Sequence, residues 1–141
     1  MRVLFDTNVI LDVLLDRQPF RTSAAQLFAR VERREIVGFL GATTLTTIHY
    51  LVSKASGKQQ ARAAVQNLLK LFQVAPVDHA VLESASESSI DDFEDAVLHD
   101  AGRALRVDAL LTRNGGDFTK GSLLILSPQE LQQTLDSPRG N

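Results

Sequence analysis

The sequence predicts an α/β fold, a three-layer α/β/α sandwich with a mostly parallel central sheet. Two observations carry this. Short apolar runs alternate along the chain with longer stretches whose apolar residues recur at helical spacing. Strands separated by helices require crossover connections, which favour parallel pairing and a sheet covered on both faces. The length of 141 residues and a hydrophobic content of 44% suit one domain with a real core, expected over residues 1–136 and followed by a polar tail, 137–141.

The elements follow in order. Val3–Phe5 reads as a buried strand that stops abruptly at Asp6, with a helix resuming near Val9. Phe20, Ala24, Leu27, Phe28 and Val31 fall at helical spacing. "IVGFLGA" reads as the second strand, and Thr43 or Thr44 is the expected cap of the helix after it. "QQARAAVQNLLKLF" is an amphipathic helix; "VAPV" is a short extended piece, and Asp78 caps the next helix. "DDFEDAVLHDAGRALR" is helical again, "DALLT" and "SLLIL" are strands, and Pro128 opens a terminal helix.

Composition narrows the function. The chain has no cysteine, which excludes disulfides and thiolate metal sites and fits a reducing, cytoplasmic setting. No signal peptide is evident at the N-terminus, and no stretch approaches the roughly 20 apolar residues of a membrane helix. A net charge of −2 does not advertise nucleic-acid binding by the chain as a whole. Any polyanion it handles must meet a local patch or a bound cation. Arg30, Arg33 and Arg34 are the obvious basic cluster, read as the polar face of their helix.

Acids are placed where strands end. A carboxylate at the tip of a core strand is costly to desolvate unless it is paired or bound to a cation. Asp6 is such a residue; Thr7 or Asn8 can cap the following helix, which leaves Asp6 spare. "SSIDDFEDAVLHDA" holds Asp91, Asp92, Glu94 and Asp95. Asp92 fits the N-cap and Asp95 the third helical position. Asp95 also borders the buried stripe of Val97, Ala101 and Leu105, so it can equally face a cleft beside the sheet. "TRNGGDF" follows the strand "ALL" and brings Arg113, Asn114 and Asp117 to the same sheet edge, either as an ordinary turn or as site residues. His49, His79 and His99 show no paired ligand spacing and read as surface or core residues. Separated acids converging on one edge raise one another's pKa or demand a cation. Oxygen-only ligands suit Mg²⁺ or Mn²⁺.

"RVLFDTNVILD", "FEDAVLHDAG" and "DALLTRNGGDF", in that order and spacing, resemble a PIN domain over nearly the whole chain. The resemblance implies a small α/β/α fold with three or four acids around one or two Mg²⁺ or Mn²⁺ ions. It also implies a metal-dependent ribonuclease of the kind that serves as the toxin of VapBC-type toxin–antitoxin pairs. Asp6 matches the acid of the family's first strand and Asp95 the acid that opens its later helix. Where the family carries an acid, usually Glu, after the second strand, "TTLTTIHYLVSK" offers Thr47. The family's last acid position is Asn114 here, with Asp117 three residues on.

The expected catalytic and metal-binding set is therefore Asp6, Asp95 and Asp117, with Asn8, Arg113 and Asn114 toward substrate. The partners that the resemblance implies are an RNA substrate, cut to leave 5′-phosphate and 3′-hydroxyl ends, a small protein antitoxin reaching the acidic cleft, and a second copy in a homodimer. Two alternatives stand beside this reading. A haloacid-dehalogenase-type phosphatase also starts with a strand-terminal Asp, but it wants a second Asp where Asn8 stands. A catalytically weak PIN-like module that binds RNA or a partner is the reading that Thr47 and Asn114 favour.

Overall fold

A computed structural model describes residues 1–137. The chain runs β1 (Arg2–Phe5), α1 (Thr7–Leu14), α2 (Arg21–Glu32), β2 (Val37–Gly41), α3 (Ala42–Ser56), α4 (Lys58–Leu71) and β3 (Gln73–Ala75). It continues through α5 (His79–Ser86), α6 (Phe93–Ala104), β4 (Ala109–Leu111), a short 3-10 turn (Gly115–Phe118), β5 (Ile125–Leu126) and α7 (Pro128–Asp136). The five strands form one sheet in the order β3-β2-β1-β4-β5, and every neighbouring pair is parallel.

Alternation along the strands builds two cores, because successive side chains point to opposite faces. Val3 and Phe5 of β1 and Ala109 and Leu111 of β4 face a core shared with α1, α2, α3, α4 and α7. Leu4 and Leu110 face the other way, into a core formed with α5, α6 and Phe118. On the first face the rings of Phe5, Phe28 and Phe72 meet edge to face, with centroids 5.0 to 6.3 Å apart. On the second, α6 approaches β1 closely at Gly102, where an added Cβ would stand 2.6 Å from Leu4 Cδ2. This is the three-layer α/β/α arrangement with a parallel sheet.

The order of strands also locates a crevice. The chain builds outward from β1 through β2 to β3, then crosses over and continues on the other side of β1 with β4. Direction therefore reverses between β1 and β4, and the carboxyl ends of those two strands open on the crevice where ligands of such sheets bind.

Local details mostly follow the sequence, although the strand expected over 122–126 is confined to Ile125–Leu126 and two expected caps differ. Asp78 and Asp92 cap their helices as expected, accepting from Val81 N at 3.0 Å and Asp95 N at 2.9 Å. Pro128 opens α7, whose Ser127 and Glu130 form a reciprocal capping box. Thr43 and Thr44, however, cap nothing: α3 starts at Ala42, and Gly41 precedes it without a side-chain bond. Asp6 is not spare either. The first helix begins at Thr7, two residues before Val9, so the cap position falls on Asp6 itself. Of the expected polar tail, Ser137 ends α7 and residues 138–141 lie outside the described residues.

Candidate metal centre at the carboxyl edge of the sheet

Asp6 leaves β1 with its amide still in the ladder, donating to Leu111 O at 2.9 Å. Its side chain, 9% exposed, accepts from Thr7 N at 2.7 Å on Oδ1 and from the Thr112 hydroxyl at 2.8 Å on Oδ2. Asn8 adds a longer approach to Oδ2 from its amide nitrogen, at 3.4 Å. Burial pushes the Asp6 carboxyl above its ordinary value; the two short bonds oppose the shift, and repulsion from Asp117 and Glu94 adds to it. One oxygen is thus fixed by the helix start and the other by the neighbouring strand, so the carboxylate has one orientation at the mouth of the crevice.

Asp95 sits at the third position of α6, half-buried. Its carboxyl is pushed up to about 7, first by burial and then by repulsion from Asp92, Asp6, Asp117 and Glu94. No ion pair offsets that charge among the described residues. Asp117 lies in the 3-10 turn, exposed, with its amide bonded to Asn114 O at 3.0 Å. A small pocket between the start of α6 and this turn is lined by Asp91, Asp92, Asp95, Gly116, Asp117 and Lys120 among others. Among the described residues lining it, Lys120 is the one cation, and it pairs with Asp91 at 3.5 Å. A wider groove at the other end of the sheet, beside Val31, Arg34, Val37 and Lys70, lies away from all of these acids.

The three expected acids are therefore brought to one edge and feel one another's charge. No three His, Asp or Glu side chains among the described residues stand close enough together to chelate an ion as they are. The fit to a divalent cation rests on donor chemistry: the candidate side chains offer oxygen donors, and their mutual repulsion together with burial raises the Asp95 carboxyl to about 7 and that of Asp6 above its ordinary value, a cost that a bound cation would relieve.

Thr47 lies on α3, half-buried and one turn beyond Thr44. Thr44 itself accepts from the Thr7 hydroxyl at 3.1 Å, which ties the start of α3 to the start of α1. Asn114 is exposed, and its amide donates to Thr112 Oγ1 at 3.0 Å. Asn8 stays near the same threonine, 3.4 Å from its hydroxyl.

Arg113 turns away from the acids. Its guanidinium forks onto Asp12, with Nε to Oδ2 at 2.6 Å and Nη2 to Oδ1 at 3.1 Å, and it stacks 3.9 Å above the Phe20 ring. Asp12 is 1% exposed, so this pair is what makes a carboxylate on the buried side of α1 tolerable.

Two residues that sequence reasoning passed over matter here. Thr112 joins Asp6, Asn8 and Asn114, yet it reads in sequence as the last residue of a strand; only the adjacency of β1 and β4 reveals it. Asp12 carried a signal, an acid six residues after Asp6 within an apolar helix, but its partner is 101 residues away.

Comparison with known proteins agrees with this fold. The fold matches VapBC2 from Rickettsia felis, solved bound to a promoter DNA fragment, with a TM-score of 0.71 at 15% identity over 90% of this chain and 98% of that one. It matches VapC20 from Mycobacterium tuberculosis, a sarcin–ricin loop cleaving toxin, with a TM-score of 0.70 at 18% identity over 86% and 96%. FitAcB from Neisseria gonorrhoeae gives 0.68 at 19% identity over 90% and 98%. No curated protein sequence matches the chain significantly. A PIN-domain family model matches residues 2–115, a span that takes in Asp6, Asp95 and Asn114, and the chain therefore belongs to the PIN-domain family.

Proposed function

We propose that this protein is a metal-dependent ribonuclease, the toxin of a toxin–antitoxin pair. The observation that carries the reading is that Asp6, Asp95 and Asp117 lie near enough to one another at the carboxyl edge of the sheet to repel, with Asp95 raised to about 7 and no cation paired to it among the described residues.

Asp6 and Asp95 would hold Mg²⁺ or Mn²⁺, with Asp117 and Asn114 completing the ligand set directly or through water. When bound, the divalent ion supplies Lewis acidity and positive charge at the scissile phosphate. Thr112 and the Thr7 amide hold Asp6 in one rotamer, so the carboxylate is preorganised before any ligand arrives. Asn8 and Asn114 offer amide groups to the RNA backbone beside the acids. Arg113 serves the site by fixing the 112–114 segment through Asp12. A protein antitoxin is the proposed partner, supported by the toxin–antitoxin complexes among the structural neighbours, and a homodimer is the proposed assembly. No helix among the described residues is long and apolar enough to cross a membrane.

A second reading has its own support. Thr47 and Asn114 are neutral, and no three candidate ligands close on one point among the described residues, which favours a catalytically weak module that binds RNA or a partner. Cleavage of a mixed RNA pool separates the two. The nuclease reading expects Mn²⁺-dependent fragments with 5′-phosphate ends, lost by orders of magnitude in Asp95→Asn and far less affected in Asp92→Asn, where Asn remains a good cap. Intact RNA at every Mn²⁺ concentration would favour the binding module.

A further inference from the structure

His99 and Asp100 are the buried polar pair that the acidic site does not use, 2% and 7% exposed. Their hydrogen bonds form one directed chain. The backbone amides of Ser122 and Leu123 both donate to His99 Nε2, at 3.0 and 3.2 Å. Amides only donate, so Nε2 is the unprotonated nitrogen and the proton sits on Nδ1. Nδ1 then donates to Asp100 Oδ1 at 2.8 Å, and Asp100 Oδ2 accepts from the Ser84 hydroxyl of α5 at 2.7 Å. The approach leaves no slack: a Cβ at Gly121 would stand 2.5 Å from His99 Nε2.

What this chain joins gives it meaning. His99 lies one helical turn after Asp95, on the same side of α6. The segment it grips begins four residues after Asp117 and is tied back to it by Gly121 N to Phe118 O, at 2.9 Å, and by the fully buried Phe118. Apolar packing alone would hold α6 and this loop together with a less definite register, whereas two amides on one ring nitrogen set the register.

We propose that His99 is a positioning residue that sets the placement of Asp117 relative to Asp95, with Asp100 and Ser84 fixing its tautomer. The inference rests on the proposed metal site, and its test reads the tether separately from the metal. Amide hydrogen exchange at Asp117, Ser122 and Leu123 is measured without metal, and Mn²⁺ affinity by calorimetry at a temperature where each variant is folded.

His99→Phe fills the space but offers no acceptor. Exchange at all three amides should rise about tenfold, and Mn²⁺ should bind about tenfold more weakly. His99→Gln places an amide oxygen near the Nε2 position and should bring both readouts back within about threefold of wild type. Should His99→Phe fail to fold, Gly121→Ala keeps every polar partner, displaces the loop from His99 and should shift both readouts the same way.

Faster exchange at Ser122 and Leu123, with Asp117 exchange and Mn²⁺ affinity unchanged, would reduce His99 to an ordinary core contact and overturn the proposal. If the wild type itself binds no Mn²⁺, the metal reading falls. The tether is then judged on Asp117 exchange alone: a rise in His99→Phe supports it and no change overturns it.

Discussion

The Thr112 hydroxyl donates to Asp6 Oδ2 across 2.8 Å, joining the carboxyl ends of the parallel strands β1 and β4 at the point where the strand order switches sides. Thr112 Oγ1 in turn accepts from the Asn114 backbone amide at 3.0 Å, so a single threonine holds both the strand-end acid and the loop that follows β4. Thr112→Val keeps the shape and removes both bonds. It should lower stability by about 1–3 kcal/mol, since Asp6 loses a buried partner, and should weaken divalent-ion binding. Urea unfolding checks the first effect and metal titration the second; a fully neutral substitution would show that the bond organises nothing.

Asp95 gives a pH dependence of definite sign. In the folded chain it keeps its proton up to about 7, against 3.8 when unperturbed. Between those values the folded state binds more protons than the unfolded one, so stability without metal falls as pH rises through that window. Asp6, also raised, works in the same direction. Asp95→Asn should flatten the fall. Denaturation midpoints measured across the window in chelator check this, and a wild-type stability that climbs with pH would contradict it.

The Arg113–Asp12 fork predicts a stability effect larger than a surface pair would give. Arg113→Ala strands a carboxylate that is 1% exposed and should cost about 3 kcal/mol or more. Arg113→Lys keeps the charge but loses the fork and the stacking on Phe20, and should fall between the two. Chemical denaturation of the three proteins reads this directly. An unchanged midpoint in Arg113→Ala would mean that Asp12 finds another partner.

How far the sequence carried differs between fold and site, for reasons visible in particular residues. Helices with strong periodicity and the caps at Asp78 and Asp92 were legible because the signal is local: an acid one position before an apolar stripe. The start of α3 was not, because Gly41 leaves its strand directly into the helix and needs no side-chain cap, while two threonines nearby imitate one. At the site, Asp6 stood out as a charge ending an apolar run. Thr112, Asp12 and His99 did not, since each takes its role from a partner far along the chain: Asp6 for Thr112, Arg113 for Asp12 and the 121–123 segment for His99.

Thr47 sharpens the account of the site. If this half-buried position faces the acids, Thr47→Glu adds a ligand, tightens Mn²⁺ binding and lowers stability in chelator. Thr46→Glu is the fitting control, because Thr46 is exposed and its neighbouring position points about 100° away. Ile48, completely buried, cannot serve, since a charge there would unfold the core. Equal Mn²⁺ affinity in wild type and Thr47→Glu would remove Thr47 from the site.

The central claim is that acids from β1, α6 and the turn after β4 together form one divalent-ion site. Calorimetric titration of Mn²⁺ into the wild type and into Asp6→Asn, just below and just above the Asp95 midpoint of about 7, tests it most directly. The account predicts saturable binding by the wild type that is tighter at the higher pH and releases protons at the lower, with binding abolished in Asp6→Asn. No saturable heat in the wild type, or equal binding by Asp6→Asn, would contradict it.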